Sequence, residues 1–197
     1  SLAPATRNKF LDTILAEGKR LQNLVSDLLS LSRIEAEKHE QPQERIALRE
    51  IVERAASDAA GLDHAERLIF ETSDNCEISG DPRQLEQLVR NLVDNALKYG
   101  EPGTKVTVTL GTTEAGEAKI TVTDQGEGIA PEQIPHLTRR FYRTDPGRSR
   151  ASGGTGLGLA IVKHIVERHR GRLDISSQRG QGTSISVRIP ALEHEES

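Results

Sequence analysis

Apolar side chains recur with helical spacing along the first part of the chain. Phe10, Ile14, Leu21, Leu24, Leu28 and Leu31 fall three, four or seven apart, and Leu11, Leu15, Val25, Leu29 and Ile34 widen the same face. The spacing predicts one long helix from Arg7 to Glu37. A helix of about 30 residues is roughly 45 Å long, and so wide an apolar stripe needs partners on two sides, as in a helical bundle. No second helix of matching length stands beside it, so the bundle is expected to be incomplete here.

After a polar break at Pro42 the period changes. An extended entry at Arg45–Leu48 leads into a helix carrying Ile51, Val52, Ala55 and Ala56, and Leu68–Thr72 and Glu77–Ser79 read as short strands. Asp81-Pro82 is a helix start, with Asp as N-cap and Pro at the first helical position. The helix it opens carries Leu85, Leu88, Val89, Leu92, Val93 and Leu97 and stops near Gly100. Lys105–Leu110 and Lys119–Thr123 alternate as strands, with Gly111–Gly116 as a hairpin connection. A Gly- and Arg-rich stretch from His136 to Thr155 precedes a helix over Leu157–His169, and strands Leu173–Ser177 and Ser184–Ile189 close the chain. The pattern is α+β with hairpins and not alternating βαβ. Two units are expected, a helical arm over 1–41 and an α+β domain over 42–197.

Composition narrows the class. At 197 residues, 35% hydrophobic and 28% charged, the chain is a polar globular protein of one or two domains. A net charge of −4 speaks against a generally nucleic-acid-binding surface. The single Cys76 excludes an internal disulfide framework and a thiolate metal cluster. No apolar run approaches the roughly 18–20 residues that span a bilayer. The expected setting is cytoplasmic and reducing. Ser1 stands where an initiator methionine would, so a piece of a longer, membrane-anchored protein is compatible with this reading.

Three local patterns carry candidate chemistry. In Asn91-Leu-Val-Asp-Asn95-Ala-Leu-Lys98-Tyr99, positions 91, 95 and 98 share a helical face. Neutral amide oxygens suit a Mg²⁺ that keeps mostly phosphate and water ligands, and Lys98 suits phosphate; the same stripe alone equally suits a solvated face. Asp124-Gln-Gly126-Glu-Gly128-Ile129 follows an alternating strand. Its carboxylate suits an exocyclic amino group such as adenine's, although Asp-x-Gly-x-Gly also makes ordinary turns. Ser152-Gly153-Gly154-Thr155-Gly156-Leu157-Gly158-Leu159 runs into a helix, where free backbone N–H groups attract phosphate. It is neither a Walker A loop nor Gly-x-Gly-x-x-Gly, since Leu159 stands where the third glycine is required. Upstream lie Arg139, Arg140, Arg143, Arg148 and Arg150, which suit a nucleic-acid patch or a lid over phosphates. With no aromatic ladder beyond Phe141 and Tyr142, the lid is favoured.

In their order and separation these patterns resemble the catalytic, ATP-binding part of sensor histidine kinases, within the gyrase, heat-shock-chaperone, histidine-kinase and MutL superfamily. Asn91–Tyr99 is similar to its N box, Asp124–Ile129 to its first glycine box, Arg140–Arg143 to its F box, Gly154–Leu159 to its second glycine box, and Gly180–Thr183 to a final Gly-x-Gly-Thr. Arg20–Glu35 resembles the second helix of the dimerisation and histidine-phosphotransfer domain. The resemblance implies a two-layer α/β sandwich with a mixed sheet, the Bergerat-type fold, preceded by a bundle helix. It implies Mg²⁺ at Asn95, phosphate contacts from Asn91 and Lys98, Arg143 near the γ-phosphate, and nucleotide contacts from Tyr99 and Asp124. Gly126, Gly128 and Ile129 would shape the base pocket, and Gly154, Thr155, Gly156, Leu157, Gly158 and Thr183 the remaining nucleotide surface. It further implies ATP as substrate, a response regulator receiver domain as partner, and a homodimer in the parent protein.

Hydrolytic members of the superfamily carry Glu four residues before the metal-binding Asn, as a general base. Here that position is Asn91, whose amide cannot take a proton. A histidine acceptor needs less help, because imidazole is a competent nucleophile near neutral pH. A hydrolase or a non-catalytic nucleotide-sensing module remain the alternatives. The family's acceptor histidine lies in a Ser-His-Glu-Leu-Arg-Thr-Pro-like box on the first bundle helix. His39-Glu40-Gln41-Pro42 shares only its His-Glu pair, and His64, His136, His164, His169 and His194 read as surface or helix-end residues. This chain is therefore expected to bind nucleotide without phosphorylating itself.

Overall fold

The long amphipathic pattern forms helix α1 (Pro4–Ala36), which projects from the rest of the fold and joins it only through its last turns. Phe10, Ile14, Leu21 and Leu28 on one side, with Leu11, Leu15, Val25 and Leu29 beside them, are exposed, whereas Leu31 and Ile34 are buried. The computed structural model describes residues 4–37, 39–72, 76–144 and 154–192. Beyond α1 come β1 (Glu44–Ala47), α2 (Leu48–His64), a 3₁₀ turn (Ala65–Arg67), β2 (Leu68–Thr72), β3 (Glu77–Gly80) and α3 (Pro82–Tyr99). There follow β4 (Val106–Thr112), β5 (Glu117–Asp124), a 3₁₀ turn (Ile134–His136), α4 (Gly158–Arg168), β6 (Arg172–Ser177) and β7 (Thr183–Pro190).

Five strands make a mixed sheet in the order β2-β4-β5-β7-β6, with β2 parallel to β4 and every other pair antiparallel. One face of it buries Val106, Val108, Leu110, Ile120, Val122, Ile185, Val187 and Ile189. These pack with Val52 and Ala56 of α2, Leu88 and Leu92 of α3, and Ile161 and Ile165 of α4 in one core. The opposite face is a field of hydroxyls, in which Thr121 pairs with Ser186 at 2.9 Å and Thr123 with Ser184 at 3.0 Å. Alternation along each strand thus yields a two-layer sandwich with α2, α3 and α4 on the apolar side.

Some expectations change. The two short strands Leu68–Thr72 and Glu77–Gly80 belong to different sheets, since β3 pairs antiparallel with β1 in a separate two-stranded sheet. The crossover through α3 makes β2 parallel to β4, a helical link in a sheet whose hairpins are β4–β5 and β6–β7. β4 extends through Thr112, so Gly111 belongs to the strand and the turn narrows to Thr113–Gly116, closed by Gly116 N–H to the Thr113 carbonyl at 2.9 Å. No helix among the described residues is long and apolar enough to cross a membrane.

His169 is at a helix end, as expected, but it is buried and not on the surface. It caps α4, its Nδ1 donating to the Ile165 carbonyl at 2.7 Å while Nε2 accepts from the Asp81 N–H at 3.0 Å. That pattern requires the neutral ring, and burial holds its pKa below the ordinary histidine value. The unfolded chain therefore binds more protons, and this contribution to stability is lost as pH falls through and below about 6.5. His169→Ala is expected to cost about 2–4 kcal/mol near pH 7, from a cavity and an unpartnered N–H at the start of α3. In urea titrations it should also lose stability less steeply than the wild type between about pH 6.5 and 5. Next to it, Arg168 fastens the arm to the domain, donating to the Glu37 and Glu40 carbonyls at 3.2 and 3.1 Å and pairing with Asp81 at 3.4 Å.

Candidate functional site

Asp81 caps α3 by accepting from the Arg83 and Gln84 N–H groups at 3.0 and 3.3 Å, with Pro82 opening the first turn. The apolar face of α3 is fixed in the core, which sets the direction of its polar stripe. Asn91, Asn95 and Lys98 are half-buried and face the start of α4. Asn91 Nδ2 donates to the Gly158 carbonyl at 3.3 Å. A methyl group built on Gly158 would lie 3.9 Å from Asn95 Nδ2, and one built on Gly154 would fall 2.3 Å from Lys98 Nζ and 3.6 Å from Tyr99 Oη. The ammonium thus occupies the space a side chain at 154 would need.

The other wall is the end of β5. Asp124 is buried, and its Oδ1 accepts from the Gly126 N–H at 2.8 Å; the Thr183 amide opposite it also donates to the carboxylate. Burial pushes this carboxyl above its ordinary range, against the pull of those two amides. Gly126 forms a bridge with Gly100 directly after α3, so the ends of α3 and β5 are joined. Ile129 N–H donates to Ser177 Oγ at 2.8 Å, and Ser177 meets Thr183 Oγ1 at 2.9 Å. Gly128 packs its backbone against Gln178 in this turn.

On the glycine-rich side, the Phe141 N–H donates to the Gly156 carbonyl at 2.9 Å, which brings the arginine-bearing segment beside α4. Arg143 is half-buried, and its Nε and Nη2 are buried without a hydrogen-bond partner among the described residues. A cation so placed calls for an anion. Leu157 is fully buried in the core, and its N–H is taken by Thr155 Oγ1 at 3.2 Å. Arg148, Arg150, Ser152, Gly153 and His194 lie outside the described residues.

Two contacts were missed from sequence. Thr155 Oγ1 donates to Asp27 Oδ2 on α1 at 2.7 Å, and burial raises the Asp27 carboxyl. The clue was available, since Asp27 interrupts the apolar stripe between Leu24 and Leu31. Arg67, buried beneath the end of α3, had no such signal. Among the described residues no group of three or more His, Cys, Asp or Glu side chains could hold a metal ion.

Residues 80–193 match the family model described as "Histidine kinase-, DNA gyrase B-, and HSP90-like ATPase". The chain belongs to this family. Residues 2–37 match a second model, "His Kinase A (phospho-acceptor) domain", and contain no histidine. Among curated proteins the chain is 39% identical over 189 residues to the sensor histidine kinase RppB of Synechocystis sp., covering 93% of this chain and 41% of that protein. It is 37% identical over 180 residues to the phosphate regulon sensor protein PhoR of Pseudomonas aeruginosa, covering 89% and 40%. The chain thus spans about two-fifths of the length of these relatives. Among solved structures, the mycobacterial sensor histidine kinase MprB superposes with a TM-score of 0.65 at 32% identity, covering 76% of this chain and 97% of that one. Full-length ShkA in complex with AMPPNP shares the fold with a TM-score of 0.72 at 24% identity, covering 97% and 40%. The α+β fold of this ATPase-like family member is therefore that of histidine kinase catalytic domains.

Proposed function

We propose that the chain is the ATP-binding catalytic part of a sensor histidine kinase, with residues 42–197 as the catalytic domain and 1–41 as part of the dimerisation and phosphotransfer bundle. The observation that carries this is the facing of Asn91, Asn95 and Lys98 on α3 with Gly154–Gly158, together with the half-buried Arg143, whose Nε and Nη2 have no hydrogen-bond partner among the described residues. ATP would lie with its adenine amino group on Asp124, its base beside Tyr99 and its triphosphate between Lys98 and the glycine-rich segment. Among the described residues the site offers amide oxygens and no carboxylate cage, which fits a Mg²⁺ that arrives with the triphosphate. Asn95 would ligate it, and when bound the ion would neutralise charge on the phosphate oxygens.

The reaction is displacement at the γ-phosphorus: a bond forms to an acceptor imidazole nitrogen as the bond to the ADP oxygen breaks. Arg143 and Lys98 would stabilise the charge spread over the departing phosphoryl oxygens. Asn91 supplies no proton acceptor for water, and this disfavours hydrolysis. The receiver domain of a response regulator would take the phosphate onward. The bare apolar stripe of α1 supports a homodimer built through the bundle, and the cytoplasm supplies the ATP.

The test supplies the chain with γ-labelled ATP, Mg²⁺ and, in trans, the phospho-acceptor domain of a relative such as RppB. Acid-labile label should appear on a histidine of the added domain, none on the chain itself, and none at all with Asn95→Ala. Asn95-dependent release of phosphate to water without transfer would make the chain a hydrolase. Binding with neither outcome would make it a nucleotide-sensing module.

A further inference from the structure

Arg67 lies between the two stretches that match family models, 2–37 and 80–193. It ends the 3₁₀ turn before β2 and is only 8% exposed. No carboxylate pairs with it among the described residues. Its guanidinium instead reaches three backbone carbonyls: Nε donates to Thr104 at 2.9 Å, Nη1 to Leu97 at 3.2 Å and Nη2 to Glu101 at 3.2 Å. The Leu97 carbonyl belongs to the last turn of α3, where carbonyls lack helical partners and the helix dipole favours a cation. One rigid fork therefore holds the whole segment from 97 to 104, which contains Lys98, Tyr99 and Gly100.

That segment packs against Asp124. A methyl group at Gly100 would lie 3.3 Å from Arg67 Nη2 and 3.4 Å from Asp124 Cβ. Gly100 pairs with Gly126, whose N–H holds the Asp124 carboxylate at 2.8 Å. We propose that Arg67 is a positioning residue for purine recognition, holding the end of α3 so that Asp124 and Tyr99 meet the base in register. This rests on the nucleotide site proposed above. Adenine presents an amino donor where guanine presents a carbonyl acceptor, so the orientation of the carboxylate should set the preference for ATP over GTP.

The test titrates the full chain with non-hydrolysable ATP and GTP analogues, using wild type, Arg67→Lys, Arg67→Met and each combined with Asp124→Asn. Lysine keeps the charge and stem but cannot span three carbonyls. Arg67→Lys should weaken ATP binding about tenfold and narrow the ATP preference by a similar factor, with little further loss once Asp124 is Asn. A folded Arg67→Lys with unchanged preference, or losses that simply add to those of Asp124→Asn, would overturn the proposal, because a structural cap alone lowers the folded fraction without altering selectivity. Hydrogen exchange on the wild type needs no variant: the ATP analogue should protect the amides of 101 and 104 together with that of Gly126. Protection confined to Gly126 would also overturn it. A wild type whose binding is indifferent to Asp124→Asn would instead overturn the nucleotide-site reading, and the proposal with it.

Discussion

Asp124→Asn is expected to weaken ATP binding by about a hundredfold while leaving the fold intact. The substitution is nearly isosteric, and its amide oxygen can still accept from the Gly126 N–H that now holds Oδ1 at 2.8 Å. The amide NH₂ is then left facing the adenine amino group, donor against donor. Turning the amide over restores the acceptor toward the base but sets NH₂ against the Gly126 N–H. Either choice loses one hydrogen bond to a charged acceptor in a buried place. Stability should change little, because relief of a costly buried charge offsets the weaker acceptance from the Gly126 and Thr183 amides. The same raised pKa gives the binding a sign with pH. Affinity should fall on acidification, starting above the ordinary aspartate value of about 3.9, as the carboxylate takes up a proton and ceases to accept. The Asn variant should show no such fall over that range. Calorimetric titration with circular dichroism of each variant measures both effects.

Gly128→Ala should do the opposite, damaging the fold before the chemistry. At Gly128 the backbone has φ of +67°, and an added methyl would meet the Gln178 carbonyl oxygen at 2.0 Å and its carbon at 2.6 Å. Those are backbone atoms of a turn fixed by Gly180 N–H to the Glu127 carbonyl at 2.8 Å and by Ile129 N–H to Ser177 Oγ at 2.8 Å. No rotamer change relieves the contact, so the two loops must separate. The expected cost is about 3 kcal/mol or more, with ATP affinity lost alongside because Asp124 stands at the start of the same loop. Gly103→Ala is the control: its φ is +80°, but nothing lies within 4 Å of the added methyl. It should cost only about 1–2 kcal/mol for the left-handed backbone. Equal urea midpoints for the two variants would contradict the steric account.

The contrast between α3 and Arg67 shows where sequence is informative and where it stops. Positions 91, 95 and 98 were legible because helical spacing alone puts them on one face, and the apolar positions 85, 88, 92 and 93 dictate which face points inward. The strands were legible for the same local reason. The stripe of α1 follows from the same spacing; Leu31 and Ile34 at its end are buried and most of the rest is exposed. His169 reads by residue type as a surface or helix-end group, and that rule fails when the partners are backbone groups, as they also are for Arg67. The Leu97 carbonyl is 30 residues from Arg67, and the Asp81 N–H is 88 from His169. Backbone donors and acceptors are present at every position, so only topology says which of them a buried polar side chain will meet. The β1–β3 pair was hidden likewise, whereas Asp27 stood out in the apolar stripe and only its partner Thr155, 128 residues away, was out of reach. Within the site, local spacing supplied the individual stripes, and tertiary packing supplied their facing.

The most direct measurement is a calorimetric titration of the chain with a non-hydrolysable ATP analogue, with and without Mg²⁺. The account predicts saturable binding of one nucleotide per chain, tighter with Mg²⁺ and sharply reduced by Asp124→Asn. A folded chain that takes up no nucleotide under either condition would contradict it.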